Sequence, residues 1–212
     1  YQTYLAWGGA SGFLITGLSP STTYQVKVKA LQGKFTGSGF GPVATAATVA
    51  PSVSFSLSTT LTGTPPFTVG FTSLAAGVVT TGTADALIGL TTNANNGGAI
   101  YVRDTNAGLY STLANSTIAS ASADLSSASS GYGGQIISTG QASGGPFVAQ
   151  APFNGAANNV GAMTTTPQQL LTTTAPITTG TGTFRLKAKA AALTPSAPDY
   201  ADTVTLIAAM NF

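Results

Sequence analysis

Cysteine, histidine and glutamate are all absent from this 212-residue sequence. Without cysteine no disulfide can hold the fold together, so a packed core has to do so. Without histidine and cysteine, the usual ligands of zinc, copper and iron are missing, and so is the most common general base. The acidic residues are five aspartates, at positions 85, 104, 124, 199 and 202. We therefore expect a protein that is not an enzyme and that carries no cofactor.

Charge of either sign is also scarce. Charged residues make up 6% of the chain, whereas ordinary soluble domains contain roughly 25%. The net charge is +2 and the basic residues are dispersed, so the sequence predicts no nucleic-acid partner, which would need clustered lysine and arginine. No apolar run reaches the ~18 residues of a membrane-spanning helix. The chain begins at Tyr1 and not at methionine, from which we expect the processed or incompletely represented amino terminus of an exported protein.

Glycine, alanine, serine, threonine, asparagine and valine dominate the sequence, and this mixture favours strands and turns. Strand patterns cover residues 11–18, 23–31, 53–57, 67–71, 99–104, 134–138, 183–190 and 203–209. Along 183–190, Phe184, Leu186 and Ala188 alternate with Arg185, Lys187 and Lys189. This period of two predicts a sheet with one buried face and one solvated, lysine-bearing face, and the same holds for Lys27 and Lys29. The predicted fold class is all-β.

The segments between these strands carry turn signals. A glycine-rich stretch at 131–134 predicts a turn. One or two helical turns are expected at 119–130 and at 167–171, where Pro167 suits a first helical position. Asp199 and Asp202 flank a turn ahead of the last strand, and we expect them to cap that turn.

A domain boundary is predicted near residues 49–51, where the composition shifts toward threonine, alanine and asparagine. Before it, the residues Leu18, Pro20, Thr23, Tyr24, Val26, Val28 and Ala30, followed by Gly37-Ser-Gly39, Gly41-Pro42 and a final strand at 44–49, resemble the second half of a fibronectin type III domain. The resemblance implies a sandwich in which the Tyr24 hydroxyl bonds to backbone a few residues upstream. Trp7 resembles a core residue beside Tyr24, so Leu18, Tyr24 and Trp7 are expected to be structural.

The module in residues 1–50 is partial, because strands A and B of the family have no counterpart there. A sandwich without two strands exposes apolar faces and unpaired edges. Two alternatives follow. Either residues upstream supply the strands, or a neighbouring copy of the chain donates them by strand addition.

Residues 51–212 form a larger predicted β-sandwich. The stretch 90–109, followed by Ser116-Thr-Ile118, resembles secreted surface proteins of Gram-positive-like and candidate-phylum bacteria. The end of the chain, from Lys187 through Pro195 and Tyr200 to Leu206, is similar to the closing hairpin of bacterial surface and pilin-like sandwiches. This resemblance implies an architecture and an extracellular location, and no chemistry.

Two candidate binding features remain. Asp104, Thr105 and Asn106 offer oxygen ligands in a turn that ends in glycine, so Asp104 and Asn106 are weak calcium candidates, with a plain Asx-type turn as the alternative. The second feature is aromatic: a set of tyrosines and one tryptophan is predicted either to stack on sugars or to pack in cores and on sheet faces. Its members are Tyr1, Tyr4, Trp7, Tyr101, Tyr110, Tyr132 and Tyr200.

Together these features predict a structural subunit of an extracellular filament, pilus-like fibre or cell-surface layer. A surface with so little charge lacks the repulsion that keeps domains apart. The expected partners are therefore copies of the chain itself, with cell-surface glycans as a further option. The alternatives are a surface adhesin or carbohydrate-binding module, and a fibre or decoration protein of a phage virion.

Overall fold

The computed structural model describes residues 14–32, 36–60 and 63–211. These residues form strands, turns and irregular segments, with no helix among them, as expected from the abundance of threonine, valine and glycine. The strands are β1 (Thr23–Val26), β2 (Leu31–Gln32), β3 (Thr36–Gly37), β4 (Ala44–Ala47), β5 (Val53–Thr59), β6 (Thr80–Thr81), β7 (Ala86–Thr92), β8 (Gly98–Arg103), β9 (Gly108–Ser111), β10 (Ser116–Ala119), β11 (Ala123–Asp124), β12 (Gly131–Gly140), β13 (Ser143–Gly144), β14 (Val148–Ala149), β15 (Asn159–Val160), β16 (Gln168–Thr173), β17 (Ile177–Lys189) and β18 (Thr205–Met210). The all-β prediction is confirmed.

The chain divides into two compact units, Tyr1–Pro51 and Ser52–Phe212. In the first, β1 pairs antiparallel with β4 and β2 pairs antiparallel with β3. The strand predicted over 23–31 is interrupted, since β1 ends at Val26 and β2 begins at Leu31. Two backbone hydrogen bonds bridge this gap: Gly41 N donates to Val28 O, and Ser38 N donates to Ala30 O. Of the strand predicted at 11–18, the described part, 14–18, lies outside any strand.

The corner before β1 is held by Tyr24. Its hydroxyl accepts a hydrogen bond of 2.9 Å from Ser19 N, which is the kind of contact that the fibronectin-like resemblance implies. Leu18 is exposed beside it, and Trp7 lies outside the described residues. Lys29 and Lys27 are exposed, as predicted, and the Lys29 ammonium lies 5.2 Å from the centre of the Phe40 ring.

The second unit is a β-sandwich. One sheet has the order β12-β17-β7-β5, with β6 and β13 also paired to β17, and the other has the order β14-β16-β8-β18. A Cβ atom added to Gly98 of β8 would contact Leu90 of β7. A Cβ atom added to Gly182 of β17 would contact Leu171 of β16. Strands β7 and β17 therefore face β8 and β16. The core between them contains Ile88, Leu90, Ile100, Val102, Leu170, Leu171 and Phe184, among others.

Several predictions about local structure were wrong. Residues 67–71 form no strand, and residues 119–130 contain the end of β10, β11 and a turn, without a helix. The helical turn predicted at 167–171 is strand β16, which pairs with β8 and β14. The turn predicted at 131–134 is the first part of β12, which runs alongside β17 from Gly131↔Lys189 onward.

The prediction that β17 has a solvated face bearing the lysines was also wrong. Lys187 and Lys189 are 7% and 8% exposed, because two loops cover this face of the sheet. The Lys189 ammonium donates to Leu125 O at 3.0 Å and to Ser126 O at 3.1 Å. The Lys187 ammonium donates to Ala157 O and, at 3.1 Å, to Asn158 Oδ1. Both faces of β17 are therefore packed at its Lys187–Lys189 end, whereas Thr181 on the same face as the lysines is exposed. Each lysine fastens one loop to the sheet.

Candidate functional site

One side of the sandwich is open. Within the described residues, β5 pairs only with β7, and β18 pairs only with β8. Because β7 faces β8, these two edge strands lie on the same side of the sandwich, and no further strand among the described residues pairs with the outer side of residues 53–58 or of β18. Val53 and Phe55 of β5 are 43% and 38% exposed. The arrangement is an uncovered pair of strand edges with apolar side chains, which is a template for strand addition.

A cavity of about 1170 Å³ opens between the ends of these two edge strands. Its walls include Leu57 of β5, Leu206 of β18, and the loops at 65–74 and 194–203. The aromatic wall residues are Phe67, Phe71, Tyr132, Phe184 and Tyr200. Asp202 is the ionisable acid in the wall, and most of the other polar groups are threonine and serine hydroxyls. The cavity suits an apolar segment or a neutral ligand better than a charged one.

The candidate aromatic residues have separate roles. Tyr132 is 2% exposed and meets Phe71 edge-to-face at 6.4 Å between ring centres, so it belongs to the core. Burial raises the pKa of the Tyr132 phenol above its ordinary value, and the charges of Asp202 and Asp104 raise that pKa further. The hydroxyl groups of Tyr110 and Tyr200 bond to Asn115 Oδ1 and Pro195 O. Tyr1, Tyr4 and Trp7 lie outside the described residues.

The calcium candidates Asp104 and Asn106 lie in the loop between β8 and β9. Asp104 is 2% exposed, and its carboxylate accepts bonds from Ala107 N and Ser120 Oγ, both at 3.2 Å. The structure places Asp202 beside it, whereas the Asn106 residue is exposed and offers its backbone N–H to Asp202 Oδ1 at 3.2 Å. The described residues hold no group of three or more histidine, cysteine or acidic side chains that could bind a metal. The calcium site stays a prediction, with Asp202 as the second carboxylate that sequence reasoning missed.

Of Asp104 and Asp202, it is Asp202 whose surroundings disfavour the charged carboxylate. Its Oδ1 atom accepts bonds from Thr203 N at 2.8 Å and from Thr105 N at 3.2 Å, in addition to Asn106 N, whereas its buried Oδ2 atom has no partner among the described residues. Burial raises the pKa of Asp202, and the charge of Asp104 raises it further. Ionised Asp202 is therefore penalised in the folded state, and the penalty appears as the pH rises from the ordinary aspartate value through this raised pKa.

We expect Asp202→Asn to raise the free energy of unfolding at pH 7 by about 1 kcal/mol, because the amide keeps the Oδ1 acceptor and removes the charge. Near pH 3 the wild-type carboxyl is protonated, and the gain is expected to vanish. Urea unfolding across this pH range measures both effects. A variant less stable than the wild type at pH 7 contradicts the prediction. If calcium at several times a weak-site Kd of ~10⁻³ M stabilises the wild type but not the variant, the pair binds the cation.

Asp199 is also a long-range anchor, which corrects the prediction that it caps its own turn. Its carboxylate accepts bonds from Ser111 Oγ at 2.5 Å, Thr112 Oγ1 at 2.9 Å and Leu113 N at 3.0 Å. These bonds, led by the one from Ser111, lower the pKa of Asp199 to about 2. Through Asp202 and Asp199 the closing segment 195–204 is thus bonded to both the β8–β9 loop and the β9–β10 hairpin, and these contacts shape one wall of the cavity.

Comparisons with known proteins give no relative: no family model, no curated protein and no solved structure matches the chain. The described residues also include no helix with the length and hydrophobicity needed to cross a membrane.

Proposed function

We propose that this chain is a structural subunit of an extracellular filament, pilus-like fibre or cell-surface layer, and that its copies associate through β-rich surfaces of low charge. The observation that carries the proposal is the open side of the sandwich, where residues 53–58 of β5 and strand β18 have no partner strand on their outer side within the described residues. Monomeric proteins usually protect such edge strands from pairing by means of lysine, proline, β-bulges or a covering segment. Neither β5 nor β18 contains a charged residue or a proline.

The composition supports association in the same way. With charged residues at 6% of the chain, two copies meet with little electrostatic repulsion. Contacts made by backbone hydrogen bonds and apolar side chains are also not weakened by salt, unlike contacts between charges. The extracellular location rests on the resemblance of residues 90–109 and 187–206 to bacterial surface proteins.

Sedimentation velocity and negative-stain electron microscopy over a wide range of protein concentration test this function. We expect oligomers or regular filaments whose size grows with concentration and does not fall in ~0.5 M salt, where the Debye length is well under 10 Å. Phe55→Lys combined with Ile207→Lys places a charge on each edge strand and is expected to shift the protein toward monomer. Leu193→Lys, at an exposed loop position, is the control for added charge. Monomers alone at the highest concentration reached would contradict the proposal.

A binding module is the second candidate, because the cavity beside Leu57 and Leu206 is large and carries aromatic rings. Aromatic faces with neighbouring hydroxyl groups suit a neutral sugar. A glycan array, followed by the variant Phe67→Ala in the cavity wall, tests this alternative. Glycan binding that the variant abolishes, in a protein that stays monomeric, would favour the binding module over the structural subunit.

A further inference from the structure

The edge of β5 lacks the features that usually protect an edge strand. The strand is seven residues long and runs in unbroken register with β7, from Val53↔Thr92 to Thr59↔Ala86. It therefore lacks the bulge that often twists an edge strand away from partners. Its outward serine side chains are short and uncharged, and no charged residue occurs between Lys34 and Asp85. A second strand can approach this edge without meeting a bulky or charged side chain.

The sequence of β5 is self-complementary about Ser56. In an antiparallel pair centred on Ser56, each Ser56 lies opposite the other, Phe55 lies opposite Leu57, and Ser54 lies opposite Ser58. The central pairs match like with like, Val53 lies opposite Thr59, and every apolar side chain stays on the inner face of the sandwich. A two-fold contact needs a surface that complements itself in this way.

We propose that β5 is the interface between two copies of this chain, which pair their β5 edges antiparallel about Ser56. The inference rests on the proposed self-association and names its contact. The two sheets join into one continuous sheet across the two-fold axis, and the exposed parts of Val53 and Phe55 are covered by the partner. The occupant is a second copy, because an edge that lies within the 50 consecutive uncharged residues 35–84 offers a charged partner little attraction and meets little repulsion from the same edge of another copy.

Disulfide crosslinking between single introduced cysteines can test this register, because the chain has no cysteine of its own. In the proposed pair, the two Ser56 Cα atoms lie about 4.5–5.5 Å apart, within the range of about 4.4–6.8 Å that a disulfide spans. The two Ser54 positions are offset by four residues along the strand, which is about 13 Å. The side chains of Ser54, Ser56 and Ser58 are exposed, so cysteines introduced at these positions are accessible to oxidation by copper phenanthroline.

We expect most of the Ser56→Cys protein to become a disulfide-linked dimer, whereas Ser54→Cys and Ser58→Cys each stay uncrosslinked. A mixture of Ser54→Cys and Ser58→Cys is expected to form the mixed dimer. Circular dichroism checks that each variant keeps the wild-type fold, and each is assayed at a concentration where sedimentation shows wild-type oligomers.

The outcomes distinguish a failure of the β5 interface from a failure of the proposed function. Wild-type oligomers in which Ser56→Cys does not crosslink, or in which Ser54→Cys crosslinks as well as Ser56→Cys, overturn the β5 interface and leave the proposed function standing. A wild-type protein that is monomeric at all concentrations overturns both. Selective crosslinking through Ser56, matched by the mixed Ser54 and Ser58 dimer, supports both.

Discussion

Phe184→Ala is expected to lower the free energy of unfolding of the sandwich by about 3–5 kcal/mol, which is the usual cost of emptying a buried phenylalanine site. Phe184 is buried in β17, the long central strand of its sheet. Its ring meets Phe153 edge-to-face, with 6.4 Å between ring centres. The loss therefore includes an aromatic pair as well as buried area.

A second substitution makes this prediction specific. Gly134 of β12 lies under the Phe184 ring, so that a Cβ added there would fall 2.1 Å from the ring carbon Cζ. Gly134→Ala alone is thus expected to cost about 1–3 kcal/mol through overpacking. In the Phe184→Ala background the ring is gone, and the same change is expected to cost almost nothing or to fill part of the cavity.

Urea unfolding of the wild type, the two single variants and the double variant measures the coupling, which we expect at about 1–3 kcal/mol. Gly140→Ala in the same strand is the control, because its Cβ would meet only the flexible Thr181 hydroxyl, at 3.2 Å. Additive single effects at Gly134 and Phe184 would contradict the packing described for β12 and β17.

The glycines of β12 explain why its first half could not be predicted from sequence. Gly131, Gly133 and Gly134 form a local pattern typical of a turn, yet they belong to a strand that pairs along its length with β17. A Cβ on Gly133 would collide with Val160 and Gly161, just as one on Gly134 would collide with Phe184. Gly133 and Gly134 are there because neighbours on both faces approach closely, and those neighbours are 27 or more positions away in sequence.

The lysines of β17 illustrate a related limit. The alternation of Phe184 and Ala188 with Lys187 and Lys189 was enough to predict the strand, since period two is a local property. Whether the lysine-bearing face of β17 is exposed to solvent depends on the loops at 124–128 and 156–159. No local sequence pattern specifies where these loops lie over the sheet. The all-β class and the strands β5, β8, β17 and β18 could therefore be predicted, whereas β7, β16 and the covered face could not.

The corner formed by Asp104 and Asp202 was missed for the same reason. The two residues are 98 positions apart, and the register of β18 on β8, with Thr205 opposite Arg103, brings them together. Two aspartates that each border a predicted strand were a weak signal for this meeting. Strand order was needed to turn it into a site, and strand order was also needed to identify β5 as an edge.

Lys189→Met is expected to lower the free energy of unfolding by about 2–3 kcal/mol. Methionine keeps most of the aliphatic volume, so the change removes chiefly the ammonium and its bonds to Leu125 O and Ser126 O. Each charge-assisted bond contributes about 1.5–3 kcal/mol, and the two carbonyl groups would lose this partner where Lys189 is 8% exposed. Release from the desolvation of a buried cation offsets part of the loss.

Two measurements separate this role from a general loss of charge. Arg103→Met removes a cation from an exposed position of the same unit and is expected to change stability by no more than about 0.5 kcal/mol. Hydrogen exchange should show faster exchange of the Leu125 amide, which donates to Asn158 O at 3.0 Å, in Lys189→Met but not in Arg103→Met. If Lys189→Met were as stable as the wild type and its loop amides equally protected, the covering loops would be held by their apolar contacts, with Leu125 as the fully buried anchor, and not by the lysine.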